Sequence, residues 1–436
     1  MSAASRDSGD GGAGAGAASR DTGDGGAGGG AAAGARATLR VLATRNFGPY
    51  FVGNLLSNSG TWFQNLAQGI LVYRLTGSAF LLGVVGFSQF VAVFVLAPWA
   101  GAAADRFDRR ILMRWMQLGS FCVTALLAAL AWKGLASAGV VIGLALLLGV
   151  ATAFAVPAMQ ALVPQLVEPK DLHHAIALNA VTFNASRVIG PVLGAVVIAK
   201  LGIPWAFAIN ACSYLVLAWA LTVIRPRPQA PPPARRARLR ETLRAAAADR
   251  RIVALLIATA ALSFTLDPIS TLAPAYAREV LHRPDTLAGW LLGTFGIGAV
   301  IAAFTLTGRI HRSWRRLAAG LGLFSVAVVA FALSPGLWLV LPALVLAGVG
   351  FMAASTAATT RLLLTVPVAH HGRFMAIWSA LFLGFRPLAS LADGAIASAN
   401  VRVAAAVMAL PTLAVALWLL ARPPAGTVAG TVAATD

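Results

Sequence analysis

Gly101-Ala102-Ala103-Ala104-Asp105-Arg106-Phe107-Asp108-Arg109-Arg110 lies between two long apolar runs, about 80–104 and 111–132. Each run is long enough to cross a bilayer, which takes roughly 20 residues at 1.5 Å per residue. The few residues between them cannot form a domain, so they make a tight, charged turn on one membrane face. Positive charge resists translocation, and Arg106, Arg109 and Arg110 therefore assign that face to the cytoplasm.

The rest of the chain repeats the pattern. Its 436 residues have a mean hydropathy of +0.78 and are only 11% charged, more apolar surface than a water-soluble fold can hide. Apolar segments recur at about 48–73, 80–104, 110–132, 138–158, 173–199, 203–224, 252–276, 286–308, 317–334, 337–360, 373–398 and 401–421. These continuous runs exclude a β-barrel, whose strands are short and alternating. The expected fold is all-α and polytopic, with twelve transmembrane helices.

A net charge of +19 raises the question of a nucleic-acid partner, but the arginines gather in alternate loops. Arg36, Arg40 and Arg45 precede span 1, Arg106 to Arg114 follow span 2, nine arginines from Arg225 to Arg251 follow span 6, and Arg309 to Arg316 follow span 8. That is the signature of one membrane face, not of a nucleic-acid surface, and it puts both termini in the cytoplasm. The boundaries expected are a disordered Gly/Ala/Asp-rich tail at 1–45, a first six-helix bundle at 46–224, a basic linker at 225–251, a second bundle at 252–422 and a short tail at 423–436. The halves echo each other: His311-Arg312-Ser313-Trp314-Arg315-Arg316 stands about 206 residues after Asp105-Arg106-Phe107-Asp108-Arg109-Arg110, and Pro387 stands 196 after Pro191. Parallel repeats of this kind are related by an axis along the membrane normal.

Polar residues inside spans mark candidate sites, because charge at bilayer depth costs at least about 2.5–3.5 kcal/mol unless paired or hydrated. Arg187, Asp267, Arg386 and Asp393 are candidates for coupling protons or substrate. Arg386 and Asp393, two turns apart, are too distant for a direct pair, so each needs another partner. In span 1, Asn54, Asn58, Asn65 and Gln68 fall on one helical stripe. That stripe faces a watery cavity or bonds neighbouring helices, and Gln89 in span 2 joins it as a further lining candidate. In span 5, Pro191 leaves the carbonyl of Arg187 without its helical donor, which predicts a bend, while Gly190 and Gly194 admit a close neighbour. Pro268 predicts a break in span 7. Cys122 and Cys212 read as small packing residues. No His, Cys or acid grouping has metal-ligand spacing and no phosphate-binding loop occurs, so no cofactor, no metal and no direct ATP drive are expected.

The loop Gly101-x-x-x-Asp105-Arg106-x-x-Arg109-Arg110 resembles the loop between helices 2 and 3 of major facilitator superfamily transporters. Span 5 resembles that superfamily's exporter-associated glycine–proline motif, with Ala177, Ser186 and Ala195 at three of its glycine positions. Asn58 to Gln64, Pro157 to Pro164 and Ala175 to Asn179 resemble its enterobactin-exporter-like branch, which commonly has an arginine where Met159 stands. The resemblance implies two pseudo-symmetric six-helix halves rocking by alternating access. It implies that Asp105 meets the start of helix 11 in the outward-facing state, with Gly101, Arg106, Arg109 and Arg110 completing a conformational switch. It further implies export of a small amphipathic molecule (drug, siderophore or secondary metabolite) by proton antiport in a bacterial inner membrane, by a lipid-embedded monomer that is not an enzyme. An importer of the same fold, and a non-transporting membrane sensor or assembly partner acting through the 225–251 loop, are the readings that compete with it.

Overall fold

A computed structural model describes residues 38–227, 239–305, 313–367 and 370–424. Among these, twelve helices of spanning length follow one another: α1 Phe47–Thr76, α2 Ala79–Arg106, α3 Arg109–Trp132, α4 Ala138–Leu166, α5 Leu172–Leu201, α6 Ile203–Val223, α7 Arg250–Thr271, α8 Leu287–Thr305, α9 Trp314–Leu333, α10 Leu337–Thr365, α11 in two pieces (His371–Gly384 and Arg386–Ala397) and α12 Val401–Ala421. Eleven of the twelve are apolar enough by composition alone to cross a membrane. The exception is α1, whose 30 residues carry the amide-rich stripe. At 1.5 Å per residue α1 is about 45 Å long and needs no extra length to span.

Apart from the connections between α6 and α7 and between α7 and α8, the described connections are short turns, and polar side chains cap several helix starts. Asp108 accepts from the amides of Arg110 and Ile111 at the head of α3, Asp249 from Arg251 at α7, and Asn400 from Arg402 and Val403 at α12. Each such cap is worth about 1 kcal/mol. Gly77 ends α1 with φ of +61°, a left-handed closure that side chains with a Cβ adopt only under strain.

The chain makes two six-helix halves. In the first, α1 packs on α5 and α6, α2 on α4, and α3 on α4 and α6; in the second, α7 and α9 pack on α12 and α10, and α8 on α10. Two crossings join the halves, α2 on α11 and α5 on α8. The cores differ at the two ends. A cluster of Val41, Phe47, Tyr50, Met113, Leu162 and Leu221 belongs to the first half alone, at the arginine-rich face. At the opposite face, Phe63, Ile70, Leu82 and Phe207 of the first half run into one continuous core with Leu262, Tyr276, Leu291 and Phe331 of the second. The halves are thus fused at one face and have separate cores at the other.

Several expectations are corrected here. The tail does not stay loose up to residue 45: Val41 is fully buried and Arg40 pairs with Asp171 at 2.8 Å, because an apolar residue beside the membrane finds core to join; residues 1–37 lie outside the described range. The linker needs no such correction: its basic stretch is helical at Leu239–Ala248, while 228–238, with Pro231 to Pro233, and His311 lie outside the described residues. Pro268 does not break the helix at its own position: α7 runs through it and gives way only at Leu272, before a wide turn at Tyr276–Val280. At Pro191 α5 stays helical, as a bent helix does. A further break falls at Phe385 in α11, just ahead of Pro387, whose ring opposes continuation of the preceding helix. Cys122 and Cys212 are exposed on the helix surfaces rather than buried in the bundle.

Candidate functional site

The seam between the halves is built by glycine. A Cβ on Gly289 or Gly296 of α8 would overlap Pro191, Ala195 or Val188 of α5, and one on Gly83 of α2 would overlap Ser390 and Gly394 of α11. Such residues let backbones approach where a larger one holds them apart. Gly190 and Gly194 do the same on the other side of α5, lying against Ser59, Trp62 and Phe63 of α1.

Four buried charges sit along this seam. Asp267 on α7 is fully buried, and its Oδ1 accepts from Ser390 Oγ at 2.9 Å and lies 3.5 Å from Arg386 Nη2. Arg386 heads the second piece of α11, donates to Ser270 Oγ at 2.9 Å and stacks over Phe90 of the first half with its guanidinium carbon 4.4 Å from the ring centre. The arginine expected to need a partner therefore finds Asp267, and the pair lies inside the second half rather than bridging the two. Asp393, one turn beyond Ser390, is fully buried, and neither carboxyl oxygen has a partner among the described residues. Arg187 on α5 is ringed by Trp62, Phe183, Phe295 and Phe351 at 5.3, 6.0, 5.8 and 4.9 Å, and with Trp62 and Phe295 it lines a narrow cavity between the halves.

The amide stripe of α1 is divided among neighbours. Asn54 donates to Asn179 of α5 at 3.1 Å and Asn58 donates back to Asn54; Asn65 accepts from Gln89 of α2 at 3.1 Å. Gln68 is fully buried with both amide atoms unpartnered. Asn54 and Gln68 therefore do not lie on a wet face. Residues on one stripe of a helix still meet different partners when three helices enclose it.

The charged turn between α2 and α3 is open. Asp105 is exposed and makes no hydrogen bond or ion pair among the described residues, and a Cβ on Gly101 would meet nothing within 4 Å. Arg110 donates to the carbonyl of Ile224 at 2.9 Å, Arg109 to that of Ala104 at 3.3 Å, and Arg106 lies 6.0 Å from Phe107. The contact of Asp105 with the start of α11 is not made here, as befits a face where the halves have parted.

Sequence reasoning missed two features. At the opposite face Arg74 of α1 grips Asp285, between α7 and α8, through two bonds of 2.6 and 2.7 Å; Arg278 reaches the same carboxyl at 3.2 Å, and Tyr73 donates to Glu279. Burial pushes the Asp285 carboxyl up, but the hydrogen bond and charge of Arg74, with Arg278 behind them, outweigh it and leave it below the ordinary aspartate range. The signal available was Arg74 itself, a cation on a face otherwise poor in them. The second is Arg361, 3% exposed, with its guanidinium 4.0 Å from the Trp314 ring. It lies one residue past the apolar run ending at 360, while the helix continues to Thr365.

Comparison with known proteins fits this geometry. A family model described as transmembrane secretion effector matches residues 36–428. The staphyloferrin A transporter of Staphylococcus aureus is 31% identical over 168 residues, 38% of this chain and 42% of its own length, so the match spans less than half of that relative. The enterobactin exporter EntS of Citrobacter koseri is 27% identical over 348 residues, 77% of this chain and 81% of its own. Among solved structures, the peptide transporter POT superposes with a TM-score of 0.70 at 13% identity, covering 86% of this chain and 93% of that one. A bacterial homologue of the iron transporter ferroportin, in an inward-facing state, superposes at 0.66 and 16% identity, covering 88% and 98%.

Proposed function

The chain belongs to the transmembrane secretion effector family of major facilitator transporters, multi-pass membrane proteins and not enzymes, and from that premise we propose that it exports a small amphipathic molecule by alternating access in exchange for protons. The observation that carries the reading is the unequal joining of the halves: one continuous core at one face, separate cores at the other. A rocking transporter needs two such faces that exchange roles. On the positive-inside argument the parted, arginine-rich face is cytoplasmic, with both termini there, and the fused face with its Arg74–Asp285 grip points outward. This conformation receives cargo from the cell interior.

Export is favoured by the EntS relative, which is named an exporter and is matched over most of both chains; a drug, siderophore or secondary metabolite is the cargo class. Asp393 supports proton coupling. A buried carboxylate without a partner is expensive, whereas the neutral acid needs none, so a proton taken there and released when the seam opens exchanges charge for cargo. Asp267 is held by Arg386 and Ser390 and serves as the neighbour that senses that proton. Asp105, Arg109 and Arg110 form the inner switch, engaged only when the inner face closes. The protein acts as a lipid-embedded monomer of the bacterial inner membrane.

Membrane vesicles of both orientations test this. Inside-out vesicles with an acid interior should accumulate a panel siderophore or drug, and an ionophore that collapses the gradient should abolish it. Accumulation only in right-side-out vesicles would make the protein an importer; no flux in either would make it a sensor or assembly partner.

A further inference from the structure

The two halves can be superposed residue by residue from their own contacts. Gly289 stands 206 positions after Gly83, and each presses on a backbone carbonyl of the opposing helix, Pro191 and Ser390, themselves 199 positions apart. Thr265 bonds the carbonyl of Met408; Gly60, 205 positions before Thr265, lies against Asn210, 198 before Met408. This register differs by 3 residues from the 196 between the two prolines, so Pro387 falls short of the counterpart of Pro191, which is Ser390. It makes Arg187 the counterpart of Arg386, and Trp62 the counterpart of Asp267.

The consequence is a missing charge. In the second half the seam arginine has its carboxylate at 3.5 Å. In the first half an indole occupies that place, 5.3 Å from the Arg187 guanidinium. Arg187 is 8% exposed and makes no hydrogen bond or ion pair among the described residues. Aromatic faces attract a cation, yet they offer no acceptor for its five N–H donors. A guanidinium fork suits a carboxylate, which takes two parallel bonds from it. The side chain lines a cleft of about 10 Å³ shared with Trp62, Ser270 and Phe295, room for no more than a water; an anion entering as the rings part meets the cation and a flat apolar wall together.

We propose that Arg187 is the binding site for an anionic group of the cargo, a carboxylate carried on an aromatic body, which supplies from outside the charge that Asp267 supplies to Arg386 from within. This deepens the transport reading and rests on it. Because Phe295 and Phe351 belong to the second half and Trp62 and Phe183 to the first, an anion seated at Arg187 draws the cation away from rings of both halves, coupling occupancy to the seam.

The test is equilibrium binding to the purified full chain in lipid nanodiscs, read by saturation-transfer NMR with benzoate and its uncharged isostere benzamide. Benzoate should bind at least tenfold more tightly than benzamide. Arg187→Gln should erase the preference. Trp62→Asp should also erase it, since its carboxylate takes the anion's place, while Trp62→Phe should keep it; a melting temperature for Trp62→Asp at or above that of the parent shows that its fold is held. Equal binding of the two probes, or a preference surviving in Arg187→Gln or Trp62→Asp, overturns the proposal. Flux in vesicles without a benzoate preference would sink this site and spare the transporter. A benzoate preference without flux in either orientation would leave an anion site on a protein that does not transport.

Discussion

Asp393 lies one turn beyond Ser390, which donates to Asp267 on the neighbouring helix, yet their surroundings set them different tasks. Asp267 has a cation and a hydroxyl; Asp393 has neither. Asp393→Asn mimics the protonated acid permanently, so flux in that variant should lose its dependence on the pH gradient while gradient-independent exchange survives; a gradient response like the parent's would place the proton elsewhere. Asp267→Asn leaves Arg386 buried without its anion, a loss that costs about 3–5 kcal/mol when a buried pair is broken. Its melting temperature should fall markedly. Adding Arg386→Gln should restore most of the loss, because removing both charges is far cheaper than stranding one.

The helices bring these residues together only because their contact faces are bare. At Gly83 and Gly289 even a methyl group overlaps a backbone carbonyl, and a carbonyl in a helix cannot retreat without moving the helix. Gly83→Ala and Gly289→Ala should therefore wedge α2 from α11 and α5 from α8 and lower flux at least tenfold by the reasoning that packed interfaces tolerate little extra volume. Gly119→Ala, where a Cβ meets nothing within 4 Å, is the matched control and should leave flux unchanged. The outer grip adds a pH dependence. Asp285 is depressed in the folded chain, so its contribution is present above the ordinary aspartate value of about 3.9 and is lost as the pH at that face falls below that value toward the depressed one. Spin labels across the outer face should report opening only under such acid conditions. Arg74→Gln should produce partial opening already at neutral pH, by roughly fivefold in the equilibrium, as befits about 1 kcal/mol from a partly exposed arginine.

In the proposed transport cycle the whole molecule is a two-state device seen in one state. Asp105 is idle while the inner face is parted; if it works only when that face closes, Asp105→Asn removes stabilisation from the closed state alone. Labels on the inner ends of α4 and α10 should then show the parted population growing, with flux falling and expression unchanged. A population that stays put would mean that the turn between α2 and α3 does not govern the exchange of states.

Membership, the number of helices and the arginine-rich face were all legible in the chain, because they depend on local quantities: the length of an apolar run, the sign of a loop and the residues of a short turn. That Arg187, Asp267, Arg386 and Asp393 deserved notice was legible too, since charge in hydrocarbon is conspicuous wherever it lies. Partnership was not. Spacing along α11 showed only that Arg386 and Asp393 are too far apart to pair and need other partners; the fold gave Arg386 to Asp267, 119 positions away. Likewise, one stripe of amides on α1 became two separate sets of contacts and one buried amide, Gln68, with no partner among the described residues, and Arg361 was hidden by a span that continued past its apolar run. A sequence declares what each helix cannot leave in lipid. Which neighbour relieves it depends on how closely two backbones approach, and here glycines on distant helices set that distance only when they meet.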